Sequence, residues 1–178
     1  MRHKDLRIER ERRFLVARFP TGASSVRVRH IADRYIEGTT LRLRELSEEG
    51  EAPVFKLTQK IAMPGAGAQQ GFITTMVLTE AEFRLLARLP ARTLSKIRHS
   101  VPPFGIDVFE GALEGLVLAE AEFESAEESS SLVVPSFILE EVSDDARFTG
   151  GRLVCATRDE LLRLLADYGV FTTSTSSQ

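Results

Sequence analysis

The sequence predicts a mainly β fold of the α+β class: about eight antiparallel strands in a sheet or barrel, with two or three short helices outside it. Three observations carry this expectation. Strand-length runs with apolar residues at alternate positions recur along the chain, separated by Gly- and Pro-containing turns. Only two segments show a helical apolar face, and each follows capping-box spacing. The 178 residues are 43% apolar and 28% charged, a globular composition sufficient for one domain. Closure into a barrel would hide the edge strands, although strand count alone does not establish it.

The first strand reads from Arg7 to Val16, charged at its start and apolar at its end, before a Pro20-Thr21-Gly22 turn. Asp33–Ile36 and Thr39–Arg44, joined through Glu37-Gly38, form a hairpin. Val54–Ile61 is a strand broken by Pro64-Gly65-Ala66-Gly67, and Phe72–Leu78 is the next. Thr79 and Glu82 have capping-box spacing for a helix that carries Phe83, Leu86 and Ala87 on one face and runs to about Leu89-Pro90. Strands return over Arg92–Ser100, Gly105–Phe109 and Leu116–Phe123, and an acidic, Ser-rich connection spans Glu124–Ser131. Thr157 and Glu160 repeat the capping box before Leu161, Leu162, Leu165 and Tyr168, with Gly169 ending the helix. Residues 1–171 read as a single domain and 172–178 as a frayed tail.

Side chains two apart on a strand share a face. Glu9, Glu11 and Arg13 therefore point one way, as do Arg42 with Arg44, Lys56 with Thr58 and Lys60, Lys96 with Arg98, and Glu120 with Glu122. A solvated face would mix signs within a strand, and cross-strand pairing favours alternating sign. Here the signs are sorted: two strands offer Glu-x-Glu and three offer only cations. Carboxylate pairs are hard oxygen donors suited to Mg²⁺ or Mn²⁺, and clustered Arg and Lys grip phosphate oxygens. A polyphosphate–metal complex answers both.

At these residues the sequence resembles the CYTH superfamily, the triphosphate tunnel metalloenzymes. Glu9-Arg10-Glu11-Arg12-Arg13 matches the family's opening Glu-x-Glu-x-Lys, with Arg13 in the lysine position. Tyr35-Ile36 with Leu41-Arg42-Leu43-Arg44, Thr58-Gln59-Lys60, Lys96-Ile97-Arg98, the stretch Asp107 to Phe123, and Glu141 to Phe148 resemble the segments that follow, in family order from about Ile8 to Leu153. The resemblance implies an eight-stranded closed antiparallel tunnel and an enzyme, a divalent-metal-dependent triphosphatase nearest the short bacterial tripolyphosphatase-like members. It implies metal ligands at Glu9, Glu11, Glu120 and Glu122, with Asp107 and Asp145 as further acidic contacts. Phosphate binding falls to Arg13, Arg42, Arg44, Lys56, Lys60, Lys96, Arg98 and Arg147, and the catalytic group to Glu9, Glu11 and Arg13. The expected cofactor is Mg²⁺ or Mn²⁺, and the expected partner a small triphosphate: tripolyphosphate, a nucleoside triphosphate or thiamine triphosphate. A non-catalytic polyphosphate binder and a class IV-type adenylate cyclase are the alternatives. The fifth strand departs from the family's Arg-x-Glu-x-Glu, since Gly71-Phe72-Ile73-Thr74-Thr75 has no charge.

Other features narrow the field. Lys plus Arg is 23 against 26 Asp plus Glu, a net charge of −3, which argues against long nucleic acid as a partner. With eight basic and six acidic candidates inside, this balance conceals a cationic interior in an acidic shell. The single cysteine, Cys155, excludes an internal disulfide and reads as a packed apolar residue. His3, His30 and His99 lack metal-ligand spacing, and His99 should point away from Arg98. No apolar run reaches membrane-spanning length, so the expectation is a cytoplasmic protein, and the family resemblance implies a monomer or homodimer.

Overall fold

The computed structural model describes residues 7–20, 22–62 and 70–171. Its strands are β1 (Arg7–Val16), β2 (Arg27–Ile36), β3 (Leu41–Ser47), β4 (Val54–Ala62), β5 (Gln70–Leu78), β6 (Ala91–Val101), β7 (Phe104–Phe109), β8 (Val117–Glu122) and β9 (Ile138–Glu141). The helices are α1 (Glu80–Leu86), α2 (Ala126–Ser130), α3 (Gly150–Leu153) and α4 (Arg158–Asp167), with 3-10 turns at Gly111–Leu113 and Ala146–Phe148. The expected turn at 64–67, the tail 172–178 and His3 lie outside the described residues.

The strands follow the order β5-β4-β3-β2-β6-β7-β8-β1, and β1 pairs again with β5, so eight antiparallel strands close a barrel. β1 is the closing stave. One of its edges pairs with β8 over Glu11–Leu15. Its other edge is shared, with β5 taking Arg7–Arg10 and β9 taking Phe14–Val16. The closed barrel agrees with the expected architecture, and β9 is a ninth strand added outside it. Among the described residues, no helix is long and apolar enough to cross a membrane.

Three apolar clusters hold the barrel. The outward face of β1, β7 and β8 packs Phe14, Val16, Phe104, Ile106, Ala119 and Phe123 beneath the 132–138 connection. On β3 and β4, Leu43 and Phe55 pack with Phe83 of α1. There α1 is held at its start by the expected capping box, in which the Glu82 N–H donates to Thr79 Oγ1 and the Thr79 N–H donates to Glu82. The third cluster fills one end of the barrel interior. Leu15, Leu94, Phe109 and Leu118 point inward there and meet Phe148, Leu153, Leu161 and Leu165 from the C-terminal turns and helices. The inner wall thus changes from apolar to charged along the barrel, and β1 shows the change in one strand: Glu9, Glu11 and Arg13 precede Leu15 on the same face.

Cys155 is exposed, contrary to its reading as a packed residue, because the short α3 turn leaves it on the surface with its thiol directed to the Gly151 carbonyl. His99 lies outside the barrel as expected, its ring 4.3 Å from that of Phe19 and Nδ1 3.1 Å from Ser25 Oγ.

Candidate active site

A cavity of about 790 Å³ occupies the charged part of the barrel interior. Period-two alternation delivers its walls: Glu9, Glu11 and Arg13 from β1, Asp33 and Tyr35 from β2, Arg42 and Arg44 from β3, and Lys56, Thr58 and Lys60 from β4. Lys96 and Arg98 come from β6, and Glu120 and Glu122 from β8. Leu94, Phe109, Phe148 and Leu153 line it where it meets the apolar core.

The carboxylates gather where β1 meets β8 and faces β4. Glu11 accepts from Arg13 Nη2 at 2.5 Å and from Lys60 Nζ at 2.9 Å, and Lys60 also pairs with Glu9. Glu11 and Glu122 are register partners, an opposition of like charge that is unfavourable without a cation between or beside them. Burial, then the charge of Glu11, raises the Glu9 carboxyl above its ordinary value. Burial would lower Lys60 and Arg13, but Glu11 and Glu9 outweigh it and raise both.

The second grouping spans β6, β7 and β8. Asp107 accepts from Lys96 at 2.5 Å and from Arg98 at 2.6 Å through both of its oxygens. Arg98 also donates to Glu120, which lies 3.8 Å from Arg13 Nε. Burial alone would raise the Glu120 carboxyl, yet Lys96, Arg98 and Arg13 hold it well below the usual carboxylate range.

The third grouping is cationic. Arg44 donates to Asp33 at 2.6 and 2.7 Å in a bidentate fork, and Arg42 stands 3.7 Å away. Lys56 is the register partner of Arg44, and burial followed by repulsion from Arg44, Arg29 and Arg42 lowers its pKa. Asp33 is depressed, because hydrogen bonds and charge from Arg44 outweigh its burial. A carboxyl with a lower pKa in the folded chain supplies stability that is present above its unfolded value of 3.8 and lost as pH falls toward the folded value. Urea titrations from pH 5 downward should therefore show a loss beginning near pH 4 that is smaller in Asp33→Asn.

Two expectations require correction. Asp107 is an acidic group on the inner face, but it is fully buried beneath the cavity wall and saturated by Lys96 and Arg98. It anchors cations and offers no oxygen to the cavity. Asp145 and Arg147 lie outside the cavity altogether. Arg147 donates to Asp145 and to Asp167 of α4, and the Tyr168 hydroxyl also donates to Asp145. This pair braces α4 against the preceding 3-10 turn because it follows β9, which is outside the barrel. The fifth strand presents Gly71, Ile73 and Thr75 to the cavity, without charge. Gly71 is the register partner of Glu9, and a Cβ there would lie 3.1 Å from the Ile61 carbonyl and 3.6 Å from Lys60 Cε. Its smallness accommodates the close approach of the Ile61 carbonyl, while Lys60 Cε would sit at ordinary contact distance.

Sequence reasoning missed Asp33, although its parity with Tyr35 placed it on the inner face. It also missed the fit of Gly150 against Tyr35, where an added Cβ would fall inside the contact distance of the tyrosine hydroxyl. Gly150→Ala should cost about 1–3 kcal/mol through overpacking, read as a lowered midpoint in urea.

No protein-family model matches the chain. A curated relative does match: the inorganic triphosphatase of Nitrosomonas europaea is 32% identical over 149 residues, a span of 79% of this chain and 92% of that protein. The chain belongs to the CYTH family of triphosphate tunnel metalloenzymes. A crystal structure of the inorganic triphosphatase NE1496 has 26% identity and a TM-score of 0.54, over 83% of this chain and 95% of that one. Another, of the hypothetical protein NE1496, has 27% identity and a TM-score of 0.54, over 84% and 99%. Within the CYTH pattern the departure at Arg13 now has a setting: the guanidinium is nearly inaccessible and clamped by Glu11.

Proposed function

We propose that this CYTH protein hydrolyses a triphosphate group with a divalent cation, inorganic tripolyphosphate being the first substrate to test. The observation that carries the reading is the grouping of charge in one cavity: carboxylates on β1 and β8 with Arg13 beside them, and cations on β3, β4 and β6 with Asp33 of β2 paired to Arg44. The name of the 32% identical relative supports it.

Glu9, Glu11 and Glu122 are the residues that would hold Mg²⁺ or Mn²⁺. Their oxygens are hard donors, and the Glu11–Glu122 register leaves two like charges opposed. Among the described residues, no three His, Cys, Asp or Glu side chains already stand in metal-holding arrangement, because Lys60 and Arg13 draw Glu9 and Glu11 to themselves. The bound ion would neutralise charge developing on the transferred phosphoryl group. Arg42, Arg44 and Lys56 hold the part of the substrate away from the carboxylates, and Lys96 and Arg98 hold its flank. Lys60 and Arg13 stabilise oxygens beside the bond that breaks. Water oriented by a β1 carboxylate attacks phosphorus in line; its P–O bond forms as the anhydride P–O bond breaks, and pyrophosphate leaves from a tripolyphosphate.

Phosphate release from tripolyphosphate, ATP and thiamine triphosphate, with and without each metal, tests the proposal. Metal-dependent release from tripolyphosphate is expected, and none from any of them would overturn the reading. The uncharged inner face of β5 favours a second reading, a polyphosphate binder. Tight binding in calorimetry with no release would select it, and cyclic AMP from ATP would instead select a cyclase. We place the protein in the cytoplasm as a monomer or homodimer, a reading consistent with a lone exposed thiol.

A further inference from the structure

We propose that Asp33 is a positioning residue of the triphosphate site, acting through Arg44 and Arg42 to fix where their guanidinium groups stand on the cavity wall. The inference rests on the triphosphatase reading and adds to it a residue that touches no substrate.

Asp33 lies in the middle of β2, facing inward, with its side chain only 1% exposed. A buried carboxylate on an interior strand is costly unless paired, so its presence needs a reason. Packing alone does not supply one, since an apolar side chain would fill the place as Ile31 does two residues earlier on the same face. What Asp33 provides is direction. Its two oxygens receive Arg44 Nε and Nη2 in the planar fork that a carboxylate and a guanidinium share. That contact fixes the plane of Arg44 where it lines the cavity. Arg42, two residues away on β3, is drawn to the same carboxylate at 3.7 Å.

The arrangement has a counterpart. Asp107 on β7 receives Lys96 and Arg98 of β6 as Asp33 on β2 receives Arg44 of β3. Across β3, β2, β6 and β7, paired cations alternate with buried single aspartates. Each aspartate neutralises one of its two cations, so each trio retains one positive charge while its members are held in place. Free arginines would carry more charge into the cavity with less defined direction. The acids therefore trade part of the attraction for substrate against fixed geometry.

The test is a double-mutant cycle on tripolyphosphate hydrolysis with Asp33→Asn, Arg44→Ala and the double variant. Asp33→Asn is expected to lower kcat by about 10- to 100-fold, the loss typical of partners one step removed from a ligand. KM should not rise, because the cavity gains one positive charge. In the Arg44→Ala background, Asp33→Asn should have a much smaller further effect, limited to the part carried by Arg42 at 3.7 Å. Losses that multiply in the double variant, or a raised KM with unchanged kcat, would overturn the inference. If Asp33→Asn does not fold, Asp33→Glu keeps the charge but displaces it by one methylene, and the same kcat loss without a KM rise is expected. Calorimetry in EDTA supplies an arm independent of turnover. Asp33→Asn should reduce the preference for tripolyphosphate over sulfate by about 10-fold, and an unchanged preference would count against positioning. An inactive wild type that still shows this change would defeat the hydrolase reading and leave the role of Asp33 standing.

Discussion

Glu11→Gln should reduce metal-dependent phosphate release by at least about 10²–10³-fold, the range for removing one well-aimed charged contact from a reacting centre. The substitution keeps size and shape, so the effect isolates charge. Glu11 receives Arg13 and Lys60 and opposes Glu122 across the β1–β8 pair. Neutralising it removes a proposed metal ligand and unclamps two cations at once. It relieves the like-charge opposition to Glu122, but it also removes the counter-charge of buried Arg13 and of Lys60, so stability in urea should fall. Retention of full Mg²⁺- or Mn²⁺-dependent release by Glu11→Gln would remove the β1 carboxylates from the mechanism. Glu120→Gln is expected to lose activity by a different route, through release of Arg98 and Arg13.

Asp107→Ala should be the most destabilising single change at the site, by about 3–5 kcal/mol, because it leaves buried cations without their counter-charge. Lys96 and Asp107 are both buried, and Arg98 is largely covered. Native domains have about 5–15 kcal/mol of stability, so the loss is a substantial share of the total. Urea denaturation should show the midpoint falling sharply. A midpoint within experimental error of wild type would mean that Lys96 and Arg98 find water or another acid, and that Asp107 is not their anchor.

Much of the site was legible because alternation along a strand is a strict rule. Once Glu9, Glu11 and Arg13 were placed on one strand, they had to share a face, and the same held for Arg42 with Arg44 and Lys96 with Arg98. Which way those faces pointed came from the sorting of sign, and all of them line the cavity. Alternation does not tell a group that meets the cavity from one that lies beneath its wall. Asp107 has inner-face parity, yet Lys96 and Arg98 close over it. Nor does parity apply beyond the barrel strands. Asp145 and Arg147 follow β9, and only the three-dimensional path of that segment puts them against α4. β2 begins at Arg27, before the expected Asp33, because Arg27 and Arg29 fill inward positions where an apolar alternation would be sought. β9 was missed since Ile138–Glu141 is a four-residue strand with two consecutive acids.

The way β1 closes the barrel has a consequence for synthesis. Glu11 and Arg13 are translated more than a hundred residues before their register partners Glu122 and Glu120. Pairings of such long sequence separation come at high loop-closure cost and form slowly. A nascent chain that has not reached β8 therefore contains the acidic strand without the wall that completes the site. The opposed carboxylates meet when β1 pairs with β8, a seam that also closes the barrel, so the site cannot be complete before that long-range pairing forms.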